Sequence, residues 1–515
     1  MGMAAARGLE SHAMGDETDD LRRRDAPMEM DGEAFRRAGH ELVDRIAELL
    51  ESIRDRPLTK RTTPGELAAL LPARLPESGM DPVALLGEAA ELVIDHSLYN
   101  GHPRFFGYIT SSAAPLGALA DLLVSAVNPN QGGWQLSPIA CEIERQTVRW
   151  VAELIGFPAS CGGLFTSGGN VANFTAFLAA RRARAPQDLR EQGIGACGGR
   201  LLIYATDETH TWLQKAADLF GHGTAAIRWL PTDGELRADV NDLADRIARD
   251  RAAGDHPFLI VGTAGTVSTG AIDPLARMAD IARDHGLWFH VDGAYGAIAA
   301  ALPDAPPDLG AIARADSVAV DPHKWLYAPL EAGCTLVRDP SALPDAFGFQ
   351  PRYYHFGGAD DGEINYYQLG LQNSRGFRAL KVWLGLRQVG RRGYVEMVGE
   401  DIRLARAMAD SLQRAPECEV VTLGLSIVTL RYLPPGMDSG APENGAYLDR
   451  LNEAVLSRLK GDGETFLSNA EIDGRFLLRA CVVNFRTELE DVEAVAEIVT
   501  RHGRALHREL AGSRD

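Results

Sequence analysis

Residues 317–325, Ser-Val-Ala-Val-Asp-Pro-His-Lys-Trp, carry a short apolar run that ends at a turn. The run predicts a buried β-strand, and Asp321-Pro322 marks the turn that ends it. This turn places Lys324 where a strand leaves the interior, and lysines are rarely buried unless they are paired. Because desolvation favours the neutral amine, such a lysine can attack a carbonyl group and form a Schiff base. An ordinary surface lysine after a strand is the alternative that this stretch alone leaves open.

A second apolar run, Leu287–Val291, also predicts a buried strand, and Asp292 follows it directly. An aspartate and a lysine at the ends of two such strands are the pair that pyridoxal 5′-phosphate (PLP) requires. The carboxylate keeps the pyridine nitrogen protonated, and the lysine carries the aldehyde. The two runs together therefore predict a PLP site that contains Asp292 and Lys324.

The run Asp321-Pro322-His323-Lys324-Trp325, preceded by His290-Val291-Asp292-Gly293-Ala294-Tyr295, resembles the group II PLP-dependent amino-acid decarboxylases. That family includes aromatic-L-amino-acid decarboxylase and glutamate decarboxylase, and the resemblance covers residues 35–500. It implies an α/β fold of the fold-type-I class, with a mostly parallel central sheet. It also implies PLP as cofactor, no metal, and a homodimer with shared active sites.

The composition argues against several classes of function. A formal net charge of −19 disfavours nucleic acid or an anionic membrane as the main partner, and solubility is its simplest interpretation. The six cysteines show neither C-x-x-C nor metal-ligand spacing, which indicates a reduced protein. No apolar run reaches membrane-spanning length, and residues 1–30 lack the apolar core of a signal peptide. We therefore expect a cytoplasmic location.

The chain is predicted to contain a disordered tail (1–30), an N-terminal helical dimerisation segment (31–100), a large PLP-binding domain (101–390) and a small C-terminal α+β domain (391–515). Docking of the helical segment on its own chain is the alternative to dimerisation. In the large domain, strand and helix patterns alternate, which predicts a mostly parallel sheet with helices on both faces. The predicted strands are Leu201–Ala205, Ala226–Leu230, Phe258–Thr263, Leu287–Val291, Ser317–Val320 and Thr335–Val337. Ligands of such sheets bind at the carboxyl ends of the strands.

A phosphate cup is predicted at Ser167-Gly168-Gly169, which joins an apolar segment to a helical pattern. Small residues let the backbone approach a phosphate, and the free N–H groups and dipole of the helix hold it. Alone this motif is weak, because Gly-Gly turns before helices are common. The resemblance implies that His323 is a further phosphate donor. Asp321 stands where the family often has asparagine, and a direct contact between it and the phosphate would bring two anions together.

The resemblance also assigns residues to the cofactor ring. His210 matches the imidazole that stacks on one face of the ring, and Ala294 closes the other face; a helix cap is the alternative role for His210. Thr266 matches a threonine near the cofactor hydroxyl, and a turn in the core is the alternative there. A ring held between two faces keeps the bond to be broken perpendicular to the ring plane.

Substrate-side residues are predicted in two segments. The stretch Asn100–Tyr108 contains His102 and Tyr108, and the stretch Asn130–Trp134 ends in Trp134. Glycines in the second stretch stand where animal aromatic decarboxylases carry a bulky side chain, which leaves room for an indole. Asn100, however, stands where those enzymes have an aromatic residue.

A Gly-rich segment around residues 349–363 has the composition of a mobile lid. By resemblance, Tyr353 on this lid protonates the carbanion left after carbon dioxide departs. Tyr354, one residue away, is the alternative.

The predicted function is that of a PLP-dependent carboxy-lyase that converts an L-amino acid into its amine and carbon dioxide. An aromatic amino acid (tryptophan, phenylalanine or tyrosine) is the favoured substrate. Decarboxylation of an acidic or diamino acid, with Arg104 as a carboxylate partner, is the first alternative. An aromatic aldehyde synthase, a carbon–carbon lyase and a cofactor-free binding subunit are the others.

Overall fold

The computed structural model describes residue 22 and residues 26–186, 188–349 and 362–512. They divide into two units. The first contains the described parts of residues 1–53 and 62–97, and the second contains residues 54–61 and the described residues from 98 onwards.

The first unit, from residue 26 onwards, contains three helices: α1 (Gly32–Ser52), α2 (Pro64–Ala68) and α3 (Pro82–His96). Each begins after a residue whose side chain accepts backbone N–H bonds, namely Asp31, Thr63 and Asp81. Such caps satisfy N–H groups that have no partner inside the helix. The three helices lie within the predicted helical segment 31–100, and the role of that segment in dimerisation stays a prediction.

A seven-stranded sheet organises the second unit. Its strands are β1 (Gly162–Thr166), β2 (Leu201–Thr206), β3 (Ile227–Leu230), β4 (His256–Thr263), β5 (Trp288–Asp292), β6 (Ser317–Val320) and β7 (Gly333–Val337). Their order is β1-β7-β6-β5-β4-β2-β3, and β7 runs antiparallel to both of its neighbours while the other pairs are parallel. The predicted α/β class with a mostly parallel sheet is confirmed. The edge strand β1 was read only as an apolar segment.

Helices cover both faces of this sheet. They are α4 (Pro115–Val127), α5 (Pro138–Leu154), α6 (Gly169–Arg184), α7 (Leu189–Gln192), α8 (Trp212–Leu219), α9 (Leu243–Ala252), α10 (Leu275–His285) and α11 (Ala342–Phe347). Successive residues of β2 enter two different cores: Leu202 and Tyr204 belong to one, and Leu201 and Ile203 to the other. Because side chains alternate along a strand, this division shows that both faces are buried.

The C-terminal part of the chain builds a second, antiparallel sheet. Its elements are α12 (Ala379–Arg414), β8 (Cys418–Gly424), β9 (Ile427–Tyr432), α13 (Pro442–Asp462), β10 (Ser468–Ile472), β11 (Arg475–Cys481) and α14 (Leu489–Gly512), and the strand order is β10-β11-β9-β8. The prediction of an α+β arrangement is confirmed. Gly390 has a non-helical φ of 69°, so a kink divides α12 just before residue 391, where the small domain is predicted to begin.

Ser137 occupies the N-cap position of α5, but its side chain makes no capping hydrogen bond. No helix of the described residues is long and apolar enough to cross a membrane.

Candidate cofactor site

The carboxyl ends of the central strands open into a cavity of about 420 Å³ beside the first turn of α6. Eight residues predicted for the cofactor line it: Ser167, Gly168, Gly169, His210, Asp292, Ala294, His323 and Lys324. They lie between β1 and α6, between β2 and α8, at the end of β5 and just after it, and after β6. Segments separated by more than a hundred residues therefore meet at one edge of the sheet. This is the edge where ligands of open α/β sheets bind.

Asp292 is the last residue of β5, and its carboxylate is held from two sides. The indole Nε1–H of Trp212 donates to Oδ2 over 2.7 Å, and the backbone N–H of Ala294 donates to Oδ1 over 3.2 Å. Asp292 is 5% exposed. A carboxylate fixed in this way can accept a further hydrogen bond from a pyridinium group inside the cavity.

Lys324 lies on the turn after β6, as predicted, and its ammonium is paired. Its Nζ is 3.0 Å from Oδ2 of Asp321, and the Lys324 side chain is 19% exposed. The other oxygen of Asp321, Oδ1, is buried and has no hydrogen-bond partner. A lysine that lines a cavity and lies this close to a carboxylate is suited to a role in which its amine must lose and regain a proton.

The turn before α6 forms a cradle for an anion. Gly168 adopts a φ of +95°, a region that favours glycine. A Cβ on Gly333 would lie 2.5 Å from the carbonyl carbon of Gly168, and a Cβ on Gly169 would lie 2.5 Å from Oδ2 of Asp321. Glycine is therefore required at all three positions, and the N–H groups at the start of α6 stay accessible from the cavity.

His323 closes the cradle from the side of β6. Its Nδ1 lies 2.7 Å from the carbonyl oxygen of Ala332, so Nδ1–H donates there, and Nε2 lies 3.7 Å from Oδ2 of Asp321. Desolvation lowers the pKa of His323, and the nearby Asp321 opposes that shift. A phosphate at the cradle would supply a second anionic partner to Nε2.

His210 also lines the cavity. Its Nδ1 accepts a hydrogen bond of 3.2 Å from the backbone N–H of Trp212, which fixes the ring orientation. The residue is exposed, yet the surrounding protein desolvates the imidazole and lowers its pKa. A neutral imidazole in the cavity lining suits stacking on a flat ring.

The residues present fit PLP on these grounds. The cavity contains a fixed carboxylate for the ring nitrogen, an amine for the aldehyde and an anion cradle for the phosphate. The cavity-lining Thr263 also has a buried hydroxyl oxygen without a hydrogen-bond partner. Such an orphaned polar atom is expected where a polar ligand supplies the missing bond.

Four residues predicted to bind the cofactor or the substrate lie outside the cavity lining. Thr266 is fully buried and bonds to Thr269. The Nδ1 of His102 accepts from the N–H of Arg104, and the indole of Trp134 donates to Glu142. Tyr108 is 56% exposed and outside the cavity lining. Their roles stay predictions, and Tyr353 and Tyr354 lie outside the described residues.

A hydrogen-bonded chain behind Asp292 was not predicted. His290 is buried on β5 and contacts Asn173 through Nε2 (2.7 Å) and Ser317 through Nδ1 (2.8 Å). Its ring also packs edge-on against Trp212. Asn173 follows Gly169 by four residues on α6, so helical spacing from the glycine motif would have pointed to it.

Arg375 and Arg479 were also missed. Arg375 forms a buried ion pair with Glu144, 231 residues away, at 2.7 Å. Arg479 is 2% exposed and donates to the carbonyl oxygens of Val267 and Tyr108, while its Nη2 has no partner. Arg479 thus ties the cavity-lining Val267 to the predicted substrate segment, a contact that no local pattern encodes.

Comparisons with known proteins found related sequences and structures. Residues 64–432 match the model of the pyridoxal-dependent decarboxylase conserved domain. An aromatic-L-amino-acid decarboxylase of Bacillus atrophaeus is 33% identical over 482 residues, covering 92% of this chain and 98% of the relative.

Two solved structures are similar over nearly the whole chain. Oryza sativa TDC, solved with PLP and tryptamine, matches with a TM-score of 0.86 and 28% identity, covering 94% of this chain and 100% of that one. A 4-hydroxyphenylacetaldehyde synthase of Rhodiola rosea matches with a TM-score of 0.82 and 26% identity, covering 92% and 99%.

Proposed function

Since this chain belongs to the pyridoxal-dependent decarboxylase family, we propose that Lys324, Asp292 and the α6 cradle hold PLP for amino-acid decarboxylation. The protein is a PLP-dependent enzyme that converts an L-amino acid into its amine and carbon dioxide, and an aromatic amino acid is the favoured substrate. The observation that carries the site assignment is the meeting of Asp292 and Lys324 in one cavity. Asp292 ends β5 and pairs with Ala319 of the neighbouring parallel strand β6, and Lys324 follows β6.

Each residue of the site has a distinct task. Bound PLP supplies a ring that accepts the electron pair released when carbon dioxide leaves. Asp292 would hold a proton on the ring nitrogen, because a buried carboxylate favours a cationic partner. His210 and Ala294 would bracket the ring plane, which would set the orientation of the bond to be broken. Lys324 would offer its amine to the aldehyde, and the carboxylate of Asp321, 3.0 Å from Nζ, orients that amine.

The walls of the cavity favour a neutral, apolar substrate side chain. Ile109, Val267 and Leu330 line it. Among the described lining residues, Lys324 is the only lysine or arginine. Arg104, the carboxylate partner required by the acidic-substrate alternative, instead pairs with Asp491 at 3.1 Å. An acidic substrate would therefore lack a cation for its side chain.

A homodimer is the second part of this proposal. Leu119, Leu122, Leu123 and Val127 lie on α4 at helical spacing and are all more than half exposed, as is the nearby Ile139. An apolar helix face of this kind is costly in water and is typical of a subunit interface. Light scattering of the wild type and of Leu122→Glu tests it, and a monomeric wild type would contradict it.

The experiment that tests the reaction is a screen of the twenty common amino acids for carbon dioxide release in the presence of PLP. We expect tryptophan, phenylalanine or tyrosine to give carbon dioxide and the matching amine. Release from glutamate or a diamino acid alone would overturn the substrate class. Stoichiometric aldehyde and ammonia in place of amine would favour the aldehyde synthase, the activity that the Rhodiola rosea structure carries in its name.

A further inference from the structure

A buried carboxylate lies directly behind the lysine of the cofactor site. Asp401 is on α12, outside the cavity lining, and is 2% exposed. Its Oδ2 accepts from the indole Nε1–H of Trp325 over 2.8 Å and from the hydroxyl of Tyr327 over 2.7 Å. The backbone N–H of Asn484 also donates to this carboxylate. Two of its three donors thus follow Lys324 within three residues along the chain.

Residues 321–328, here called the lysine turn, are held by bonds within the turn and by bonds from Ser111, Ala114 and Tyr394 to the carbonyl oxygens of His323, Tyr327 and Leu326. The N–H of Lys324 donates to the carbonyl of Asp321 over 2.8 Å, and the N–H of Tyr327 donates to the carbonyl of Lys324 over 3.2 Å. Tyr327 adopts a φ of +53°. A left-handed conformation is unfavourable for a bulky residue and persists only where other contacts impose it. The hydrogen bond to Asp401 is such a contact.

Trp325, the other side chain that donates to Asp401, packs against a residue that lines the cofactor cavity. The Trp325 ring stacks on that of Tyr295, with centroids 4.7 Å apart and an angle of 19°. Tyr295 lines the cavity beside Ala294. A shift of Trp325 would therefore move both the lysine and the wall that supports the cofactor ring.

Asp401 has no cationic partner to explain its burial. None of the ion pairs among the described residues includes it, and burying a carboxylate without one is unfavourable. The titratable groups that face it from the packed elements are Tyr327, Glu400 and Cys481, and Tyr394 in turn faces Tyr327. The ionised carboxylate accepts from all three donors, whereas the protonated form becomes a donor itself and keeps its contact with Tyr327 only if that hydroxyl changes from donor to acceptor.

We propose that Asp401 is a positioning residue, and that its ionised carboxylate holds Trp325 and Tyr327 so that Lys324 points into the cofactor cavity. This rests on the proposed role of Lys324. Burial raises the pKa of Asp401 to about 7, so its charge changes within the range in which the enzyme can be assayed. Deprotonation tightens the turn, and protonation weakens the bond to Tyr327 that helps to hold it.

The test is the PLP dissociation constant of Asp401→Asn relative to the wild type, above and below pH 7. It is measured by titrating cofactor-free enzyme and following the visible absorbance. We expect the constant of the variant to be about tenfold higher than that of the wild type above pH 7. The ratio should shrink below pH 7, where the wild-type carboxyl is itself protonated. Titration of the PLP phosphate affects both proteins equally and cancels in the ratio.

Two further variants guard against a general loss of stability. Tyr327→Phe removes one bond to Asp401 and should raise the PLP dissociation constant. Tyr432→Phe removes a comparable buried bond, 3.0 Å long, to Glu417 in the C-terminal sheet. It should lower the unfolding temperature while leaving PLP affinity within about twofold of the wild type.

The outcomes separate this inference from the proposed function. The positioning role would be overturned if Asp401→Asn and Tyr327→Phe both bind PLP like the wild type. It would also be overturned if the ratio of PLP dissociation constants between Asp401→Asn and the wild type does not change with pH. A wild type that gives no visible band with PLP would instead overturn the assignment of Lys324 itself.

Discussion

The indole Nε1–H of Trp212 donates a 2.7 Å hydrogen bond to Oδ2 of Asp292, and both side chains are buried. The two residues lie eighty positions apart, and their contact orients the carboxylate proposed to face the PLP ring nitrogen. A hydrogen bond to a charged group contributes about 1.5–3 kcal/mol. Trp212 thus sets the direction in which Asp292 can act.

Asp292→Asn should lower turnover by about 10²-fold or more, because a neutral amide no longer stabilises a protonated ring nitrogen. Trp212→Phe, which removes only the orienting bond, should lower it by about tenfold. Steady-state rates at saturating PLP check both values, and Asp292→Glu tests whether a displaced charge suffices. A nearly active Asp292→Asn enzyme would mean that another carboxylate serves the ring.

Gly333→Ala should weaken PLP binding and destabilise the fold by about 1–3 kcal/mol, because the added Cβ meets the Gly168 backbone at 2.5 Å. Titration with PLP and thermal unfolding measure the two effects. Gly310→Ala is the matched control, since a Cβ there meets nothing within 4 Å. Equal PLP affinity in both variants would show that the cradle does not hold the phosphate.

His290 should make the free energy of unfolding decrease at acidic pH. Burial lowers its pKa to about 4, below the ordinary value of 6.5. Between these values the unfolded chain binds more protons than the folded one, so this contribution is complete above pH 6.5 and is lost as the pH falls towards 4. The loss is about 1.4 kcal/mol per pH unit.

Urea unfolding of the wild type and of His290→Gln across this range checks that prediction. The difference in unfolding free energy between them should shrink as the pH falls. The exposed His40 gives the control substitution His40→Gln. A difference that does not vary with pH would show that His290 binds its proton equally well in both states.

Tyr353→Phe should slow amine release and raise aldehyde, ammonia and hydrogen peroxide. Without the phenol, the carbanion left after decarboxylation stays unprotonated long enough to react with oxygen. Product analysis under air measures the ratio of amine to aldehyde. An effect in Tyr354→Phe alone would shift the assignment by one residue, and no effect in either would remove the lid from the mechanism.

Local patterns were sufficient to predict the central sheet and the residues at its carboxyl edge. Continuous apolar runs marked β2 to β6, and parallel strands bring their ends together, so Asp292 and Lys324 were expected to be neighbours. The C-terminal sheet was harder to predict. All but one residue of β8 are half-buried, which leaves no clear alternation, and β10 and α13 were not recognised as elements.

Residues that act through distant contacts left no local signal. Asp401 lies 76 positions from Trp325, and Glu144 lies 231 positions from Arg375. Acidic residues on amphipathic helices are usually solvated, so nothing in α5 or α12 marks these two as buried. Their roles depend on which helix packs against which strand, and that is determined by the tertiary fold.

The central claim is that Lys324 carries the cofactor, and borohydride reduction tests this claim most directly. Reduction of the PLP-loaded wild type should fix the cofactor irreversibly on one lysine, and peptide mapping should locate it on Lys324. Lys324→Ala should lose the visible band, the label and turnover together. A label found instead on Lys215, or on Lys381, which pairs with Asp121 at 3.0 Å, would contradict the assignment of the whole site.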